Sequence, residues 1–259
     1  MNIKSNITAS ILRKSRNAIQ NLPNLFQGYN IYVNRDKLAL IETVFKSMYP
    51  QARSFADLGG VWKVNAAYSI HTLRKFQIKR SFLVDTDIPS GLSIKLKRFN
   101  NLEVINGDFA SPAVIANIGN IDAVYLFDVL LHQANPDWDQ ILECYSKNCS
   151  CFVIYNQQYI QGEKTVRLTD LPFEEYISLV SDHGKEMTRY IYDHKDEIHP
   201  KFNKPWRDIH NITQWGITDQ GLRQKMSELG FKEVFYKNYG MFINLPAFEN
   251  HGFVFVREQ

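Results

Sequence analysis

Five short apolar segments recur between residues 54 and 155, and a stretch with helical periodicity follows each of the first four. The segments are 54–58, 81–85, 102–105, 123–127 and 151–155, and the helical patterns fall near 65–76, 92–96, 112–118 and 138–145. No hairpin signal stands between them. Alternation of this kind means a parallel sheet covered by helices, joined by right-handed crossovers. A further helix, 218–229, is stopped by Gly230 and leads to two last strands, 231–236 and 252–256. The linker between those strands carries Gly240 and Pro246 and no helical pattern, so it cannot supply a parallel crossover. The chain is therefore expected to form an α/β, doubly wound, mostly parallel seven-stranded sheet with an antiparallel last strand.

Two regions lie outside this rhythm. Ile7, Ile11, Leu12, Ile19 and Leu22 share one helical face, and Leu38, Leu40, Ile41, Val44, Phe45 and Met48 form a second helical pattern closed by Pro50. Residues 1–50 are expected to be lead-in helices that pack on the sheet or lid a cofactor. From 157 to 215 the βα alternation stops; the stretch holds Pro172, Pro200, Pro205 and four of the seven histidines. Its aromatic content argues against disorder, so it is expected to be a cap inserted over the carboxyl edge of the sheet. The core would then comprise 51–156 and 216–259.

Composition narrows the partners. The net charge of +3 is too small to imply nucleic acid, and the insertion holds eight Lys/Arg against ten Asp/Glu, so it makes no basic groove. Cys144, Cys149 and Cys151 are odd in number and lack a C-x-x-C, which argues against a disulfide framework and for a reducing, cytoplasmic setting. No apolar run approaches the length of a membrane span, and no signal-peptide core is visible. A small molecule is the expected partner; oligomeric state has no signature here.

In open α/β sheets, ligands sit outside the carboxyl ends of the strands. The first strand ends Asp57-Leu58-Gly59-Gly60, where two glycines allow a tight turn and a close approach of main chain to ligand. The second ends at Asp85, with Thr86 and Asp87 beyond it; the third at Asp108; the fourth at Asp128; the fifth at Asn156. One acid in a turn is usually structural. Four on one rim suit a ligand with positive charge and an adenosine: an acid after strand 2 can accept both ribose hydroxyls, and one after strand 3 can meet an exocyclic amine.

In these motifs the chain resembles the class I S-adenosylmethionine-dependent methyltransferases of the small-molecule type. Residues 54–60 are similar to the family's acid-x-Gly-x-Gly motif, Phe82-Leu-Val-Asp85 to its ribose-binding acid, and Asn106-Gly-Asp108-Phe109 to its adenine-contacting pair. Ile121 to His132 resembles its fourth motif and the turn after it. Val61 departs from the pattern, which has a further glycine there. The resemblance implies S-adenosyl-L-methionine as cofactor. It places Asp57, Gly59 and Gly60 beside the methionine part, Asp85 with Thr86 at the ribose, Asp108 and Phe109 at the adenine, and Asp128 on the methionine side.

Methyl transfer needs alignment of the acceptor with the S–CH₃ axis and exclusion of water, and a base if the acceptor is a hydroxyl. His132 and His210 are the candidate bases, and the insertion is the candidate lid. Asn156, Arg207 and Trp215 are candidate substrate contacts: Arg207 could meet an anionic group, whereas Trp215 could equally anchor a loop returning to the core. His194 and His199 do not share a helix face and Asp128 with Asn156 makes only part of a magnesium site, so no metal is expected. An oxygen acceptor is the expectation. A nicotinamide-dependent oxidoreductase is the rival, although Val61-Trp62-Lys63 supplies no pyrophosphate turn. A cofactor-binding protein without catalysis is another, and an RNA methyltransferase would lack the Asn-Pro-Pro-Tyr-like motif after strand 4.

Overall fold

The computed structural model describes residues 31–180, 185–208, 212–242 and 245–258. The expected helix over residues 7–22, and His210, lie outside them.

Seven strands form one sheet in the order β3-β2-β1-β4-β5-β9-β8. They are β1 (Ser54–Leu58), β2 (Arg80–Asp85), β3 (Leu102–Asn106), β4 (Ile121–Phe127), β5 (Cys149–Tyr159), β8 (Phe231–Met241) and β9 (Phe248–Arg257). The first five are parallel; β9 runs antiparallel to both β5 and β8, which leaves β8 aligned with the rest. This is the expected sheet with its antiparallel last strand. The remaining pair, β6 (Val166–Arg167) and β7 (Trp215–Gly216), is a small antiparallel ribbon that staples the two ends of the insertion.

Alternation along the strands feeds two cores. Phe55, Tyr125 and Tyr155 pack under α1 (Arg35–Thr43) and α2 (Ala67–Lys75), and α3 (Ser90–Leu96) covers Leu83 on the same side. Ala56, Phe82, Leu126 and Ile154 face α4 (Pro112–Ile118), α5 (Trp138–Ser146) and α8 (Asp219–Glu228). Local chemistry fixes the helix starts. The Asn34 side chain accepts the Asp36 amide at 2.7 Å to cap α1, a capping box of Asp137 and Gln140 starts α5, and Thr218 caps α8. The insertion adds α6 (Phe173–Leu179) and α7 (Lys185–Asp193), and it packs Leu168, Tyr176 and Ile191 against Leu245 and Phe248 of the last hairpin. Among the described residues no helix is long and apolar enough to cross a membrane.

Three strands run further than their apolar runs. β5 continues through Asn156, Gln157 and Gln158 because β9 keeps pairing with it to Tyr159–Phe248, and β8 and β9 extend into the expected linker as one hairpin. The helix after β1 differs too. It begins at Ala67 rather than near residue 65, because Asn65 and Ala66, like Lys63 before them, hold left-handed backbone (φ 49°, 60° and 57°). The glycine turn is thus the start of an eight-residue loop, 59–66, rather than of a helix.

Candidate functional site

The strand order reverses between β1 and β4, where successive connections leave in opposite directions and open a crevice. The two strands are kept level from below. Asp122 at the start of β4 accepts the Ser54 amide at 2.9 Å and the Ser54 hydroxyl at 2.8 Å. At the top, their loops touch: a Cβ on Gly59, whose φ is +75°, would lie 3.1 Å from the Val129 side chain.

Asp57 faces α2 and is buried. Its carboxylate accepts the Ser69 hydroxyl at 2.6 Å. Burial pushes its pKa up to about 6, with the Ser69 hydrogen bond opposing the rise. Gly60 passes directly over it: a Cβ there would sit 2.6 Å from the carboxylate. The loop is also tied to the neighbouring strand, since the Val61 amide donates to Asp85 at 2.9 Å. Burial raises the Asp85 pKa, and these backbone donors oppose the rise. Thr86 is exposed on the rim beside it.

Asp128 takes left-handed backbone (φ 56°) at the end of β4. One oxygen accepts the Gln157 amide at 3.0 Å and the other is ion-paired with Lys37. Lys37, from α1, is 5% exposed. Its ammonium lies 5.6, 5.8 and 5.0 Å from the ring centroids of Tyr68, Phe127 and Tyr155. Burial, the largest single influence, would lower its pKa, but the charge and hydrogen bond of Asp128, with Tyr68 and Asp57, together outweigh it, so the net shift is upward. Sequence reading missed this residue. The lead-in segment is fastened around it: Asn34 donates from its backbone to the Tyr68 hydroxyl and from its side chain to the Tyr155 hydroxyl, both at 3.1 Å.

Asp108 and Phe109 stand at the other end of the crevice, beyond β3. Asp108 accepts the Ala110 amide at 2.9 Å and faces Lys204 of the insertion at 3.6 Å. Phe109 is buried in the core, and its carbonyl accepts the Tyr145 hydroxyl at 2.6 Å.

The structure thus brings Asp57, Gly59, Gly60, Asp85 and Asp128 to one rim and adds Lys37. The acceptor-side candidates fare differently. His132 closes the short turn Leu130–His132 and meets the Ile212 carbonyl through Nδ1 at 3.3 Å, which joins the core to the cap. Asn156 is buried and donates to the Gln157 carbonyl, and its Oδ1 has no hydrogen-bond partner among the described residues. Arg207 does not stand ready for an anion, because Asp196 at 2.5 Å and Asp170 at 3.7 Å hold its guanidinium. Trp215 is an anchor. Its indole N–H donates to the Gln133 carbonyl at 2.7 Å, and Arg167 covers its ring at 4.9 Å.

No protein-family model matches the chain, and no curated protein matches it in sequence. Solved structures do match in fold. The N-terminal domain of EvdMO1 with S-adenosylhomocysteine bound is similar with a TM-score of 0.56 at 14% identity, over 97% of each chain. A 1,6-didemethyltoxoflavin-N1-methyltransferase from Burkholderia thailandensis, bound to 1,6-didemethyltoxoflavin and S-adenosylhomocysteine, gives 0.54 at 9% identity, over 98% of this chain and 87% of that one. An O-methyltransferase family protein from Burkholderia thailandensis gives 0.51 at 11% identity, over 87% and 57%. The chain has the class I S-adenosylmethionine-dependent methyltransferase fold.

Proposed function

We propose that the protein is an S-adenosyl-L-methionine-dependent methyltransferase acting on a small molecule, with oxygen as the acceptor atom. One observation carries the reading: Gly60 crosses Asp57 with no room for a Cβ, while the next amide, of Val61, is held by Asp85. A backbone stretched between two strand-end acids is a cradle for a ligand that bears positive charge at one end and a ribose at the other.

The residues present fit that cofactor. Asp57 is a buried acid whose charge burial disfavours, so a cationic ligand group beside it would be welcomed. Asp85 would receive ribose hydroxyls alongside the Val61 and Asp87 amides it accepts at 2.9 and 3.4 Å. Asp108 and Phe109 would border the adenine. When bound, S-adenosylmethionine supplies a methyl group made electrophilic by its sulfonium. The chain's own work is to bind, orient and keep water out. In this reading the insertion is the lid; it meets the strand-end loops through Lys204 at Asp108 and through the Ile212 carbonyl at His132. His132 is our candidate base: it closes the turn after β4, and its Nδ1 meets the Ile212 carbonyl, which would orient the ring. Gln157 and Asn156 stand on the acceptor side. The coarser reading, methyl transfer to a small molecule, does not depend on His132.

Calorimetry with S-adenosylhomocysteine tests the cofactor, and transfer of labelled methyl from S-adenosylmethionine to panels of phenols, sugars and amines tests the acceptor. Micromolar binding and label on a hydroxyl compound are expected. Absence of binding would overturn the methyltransferase reading and send the protein to NAD(P) instead. Label found on amines alone would overturn oxygen.

A further inference from the structure

We propose that His251 is a proton-dependent latch: as an imidazolium it ties the start of α8 to β9, and when it gives its proton to solvent the seam that carries the insertion loosens. The residue is 4% exposed. Its Nδ1 lies 2.7 Å from Oδ1 of Asp219, the first residue of α8, and its Nε2 lies 3.3 Å from Oε2 of Glu249, two residues back along β9. Both ring nitrogens therefore face a carboxylate. A neutral imidazole has one N–H, so in either tautomer one carboxylate meets a ring lone pair. Only the imidazolium donates to both.

The neighbours do not relieve that conflict. From α8, Arg223 lies 3.5 Å from the second Asp219 oxygen and 2.8 Å from Glu233 of β8, so two acids share it. From β8, the Tyr236 hydroxyl is 3.4 Å from Nδ1, and burial pushes its pKa up to about 12, so it keeps its proton beside the ring. Asn238 donates to the same Glu249 oxygen at 2.5 Å. From β5, Asn156 and Gln158 stand opposite His251 and Glu249 in register, and opposite side chains share a face. Gln158 is fully buried, and neither of its amide atoms has a hydrogen-bond partner among the described residues. A Glu249 carboxylate released by the ring can take the Gln158 N–H instead. The same side chains thus have two arrangements, and the ring proton chooses between them.

Both partners of the ring are one step from the insertion. Asp219 follows Thr218, the cap of α8, and the insertion returns to the core just before it on β7. Glu249 follows Phe248, which is buried with Leu168, Tyr176 and Ile191 of the insertion. Losing one contact at the ring therefore frees the hairpin from α8 where the insertion is fastened. The latch needs no cofactor and stands apart from the methyltransferase reading.

Hydrogen exchange of the full chain from pH 5.5 to 8.5, corrected for the intrinsic rate at each pH, tests the latch. In wild type, protection in 159–168 and 245–252 should fall by about tenfold as pH rises past neutrality, where imidazoles give up their proton; that is the low end of a lost charged hydrogen bond. Glu249→Gln should stay protected throughout, because its amide N–H can donate to the neutral ring and its carbonyl can accept from the charged one. His251→Gln should be weakly protected at every pH. If His251→Gln does not fold, the comparison of wild type with Glu249→Gln decides alone. Protection that ignores pH in wild type, or that falls equally in Glu249→Gln, would overturn the latch. A fall confined to β1 and α2 would assign the change to Asp57 and overturn it as well.

Discussion

The Ser69 hydroxyl donates to the Asp57 carboxylate at 2.6 Å inside a fully buried contact between β1 and α2. That one bond does not offset the burial, and the Asp57 pKa stands at about 6 against an ordinary 3.8. An acid with a raised native pKa keeps its proton in the fold while the unfolded chain has already released it. Its stabilising contribution is complete below about pH 4 and is lost as pH rises through about 6. The cofactor-free protein should therefore lose stability over this window. Asp57→Asn keeps an acceptor for Ser69 and has nothing to titrate. It should be more stable than wild type at pH 7.5 by about 2–3 kcal/mol, and equal to it near pH 4. Urea unfolding at pH 4.5, 6 and 7.5 checks this; parallel pH slopes in the two proteins would show that another group titrates. The same variant should bind S-adenosylmethionine more weakly, since it removes the negative charge a methionyl ammonium would meet.

Gly60 makes the second prediction. The side chain that a Cβ would strike is not a flexible surface group but Asp57, pinned by Ser69 under α2. Gly60→Ala must displace either the loop or the acid. Overpacking of this kind typically costs about 1–3 kcal/mol, and here it also distorts the cradle. Thermal unfolding should show a lower midpoint, and calorimetry a loss of S-adenosylhomocysteine binding larger than the stability loss explains. Gly91, where a Cβ meets nothing within 4 Å, is the control: Gly91→Ala should leave binding unchanged and, lying in α3, should not lower the midpoint.

Asp85 is a ribose acceptor in our reading and a loop fastener by observation, through the Val61 amide. The two roles separate by substitution. Asp85→Ala should weaken S-adenosylhomocysteine by about 10–100-fold. Asp85→Asn can still accept the Val61 amide through its carbonyl oxygen but offers the ribose a weaker, uncharged partner, so its loss should be smaller. Identical affinities for wild type and both variants would move the ribose contact to Asp87 or Thr86.

Most of the sheet was legible because its central strands are apolar on both faces and read as runs: Phe82 to Val84, or Ala123 to Phe127. What the sequence hid depends on partners far away. Asn156, Gln157 and Gln158 do not read as strand, and they extend β5 only because β9 continues beside them. The left-handed residues Lys63, Asn65 and Ala66, none of them glycine, delay α2 and give no local sign of it. Lys37 looks like one more solvated charge next to Asp36. A signal was present, however: Lys37 falls in helical register with the buried Leu40, Ile41 and Val44, on the stripe that faces the sheet. Its partner rings and Asp128 come from α2, β4 and β5, which only the fold brings together.

Trp215 supplies the last prediction, because its two sequence readings part in the laboratory. As a substrate wall it would matter to ligand binding; as an anchor it would matter to the seam between cap and core. Its indole N–H is given to the Gln133 carbonyl at 2.7 Å, and its ring lies under Arg167, whose guanidinium in turn reaches the Ala134 carbonyl and Asp137. Trp215→Phe removes the donor and leaves a buried carbonyl without its partner, which costs about 1–3 kcal/mol. The variant should unfold at lower temperature and lose protection from proteolysis first in the insertion. Its affinity for S-adenosylhomocysteine should match wild type, since Trp215 touches none of the strand-end acids. A variant of unaltered stability that fails instead in methyl transfer would reverse the assignment and make the indole part of the acceptor wall.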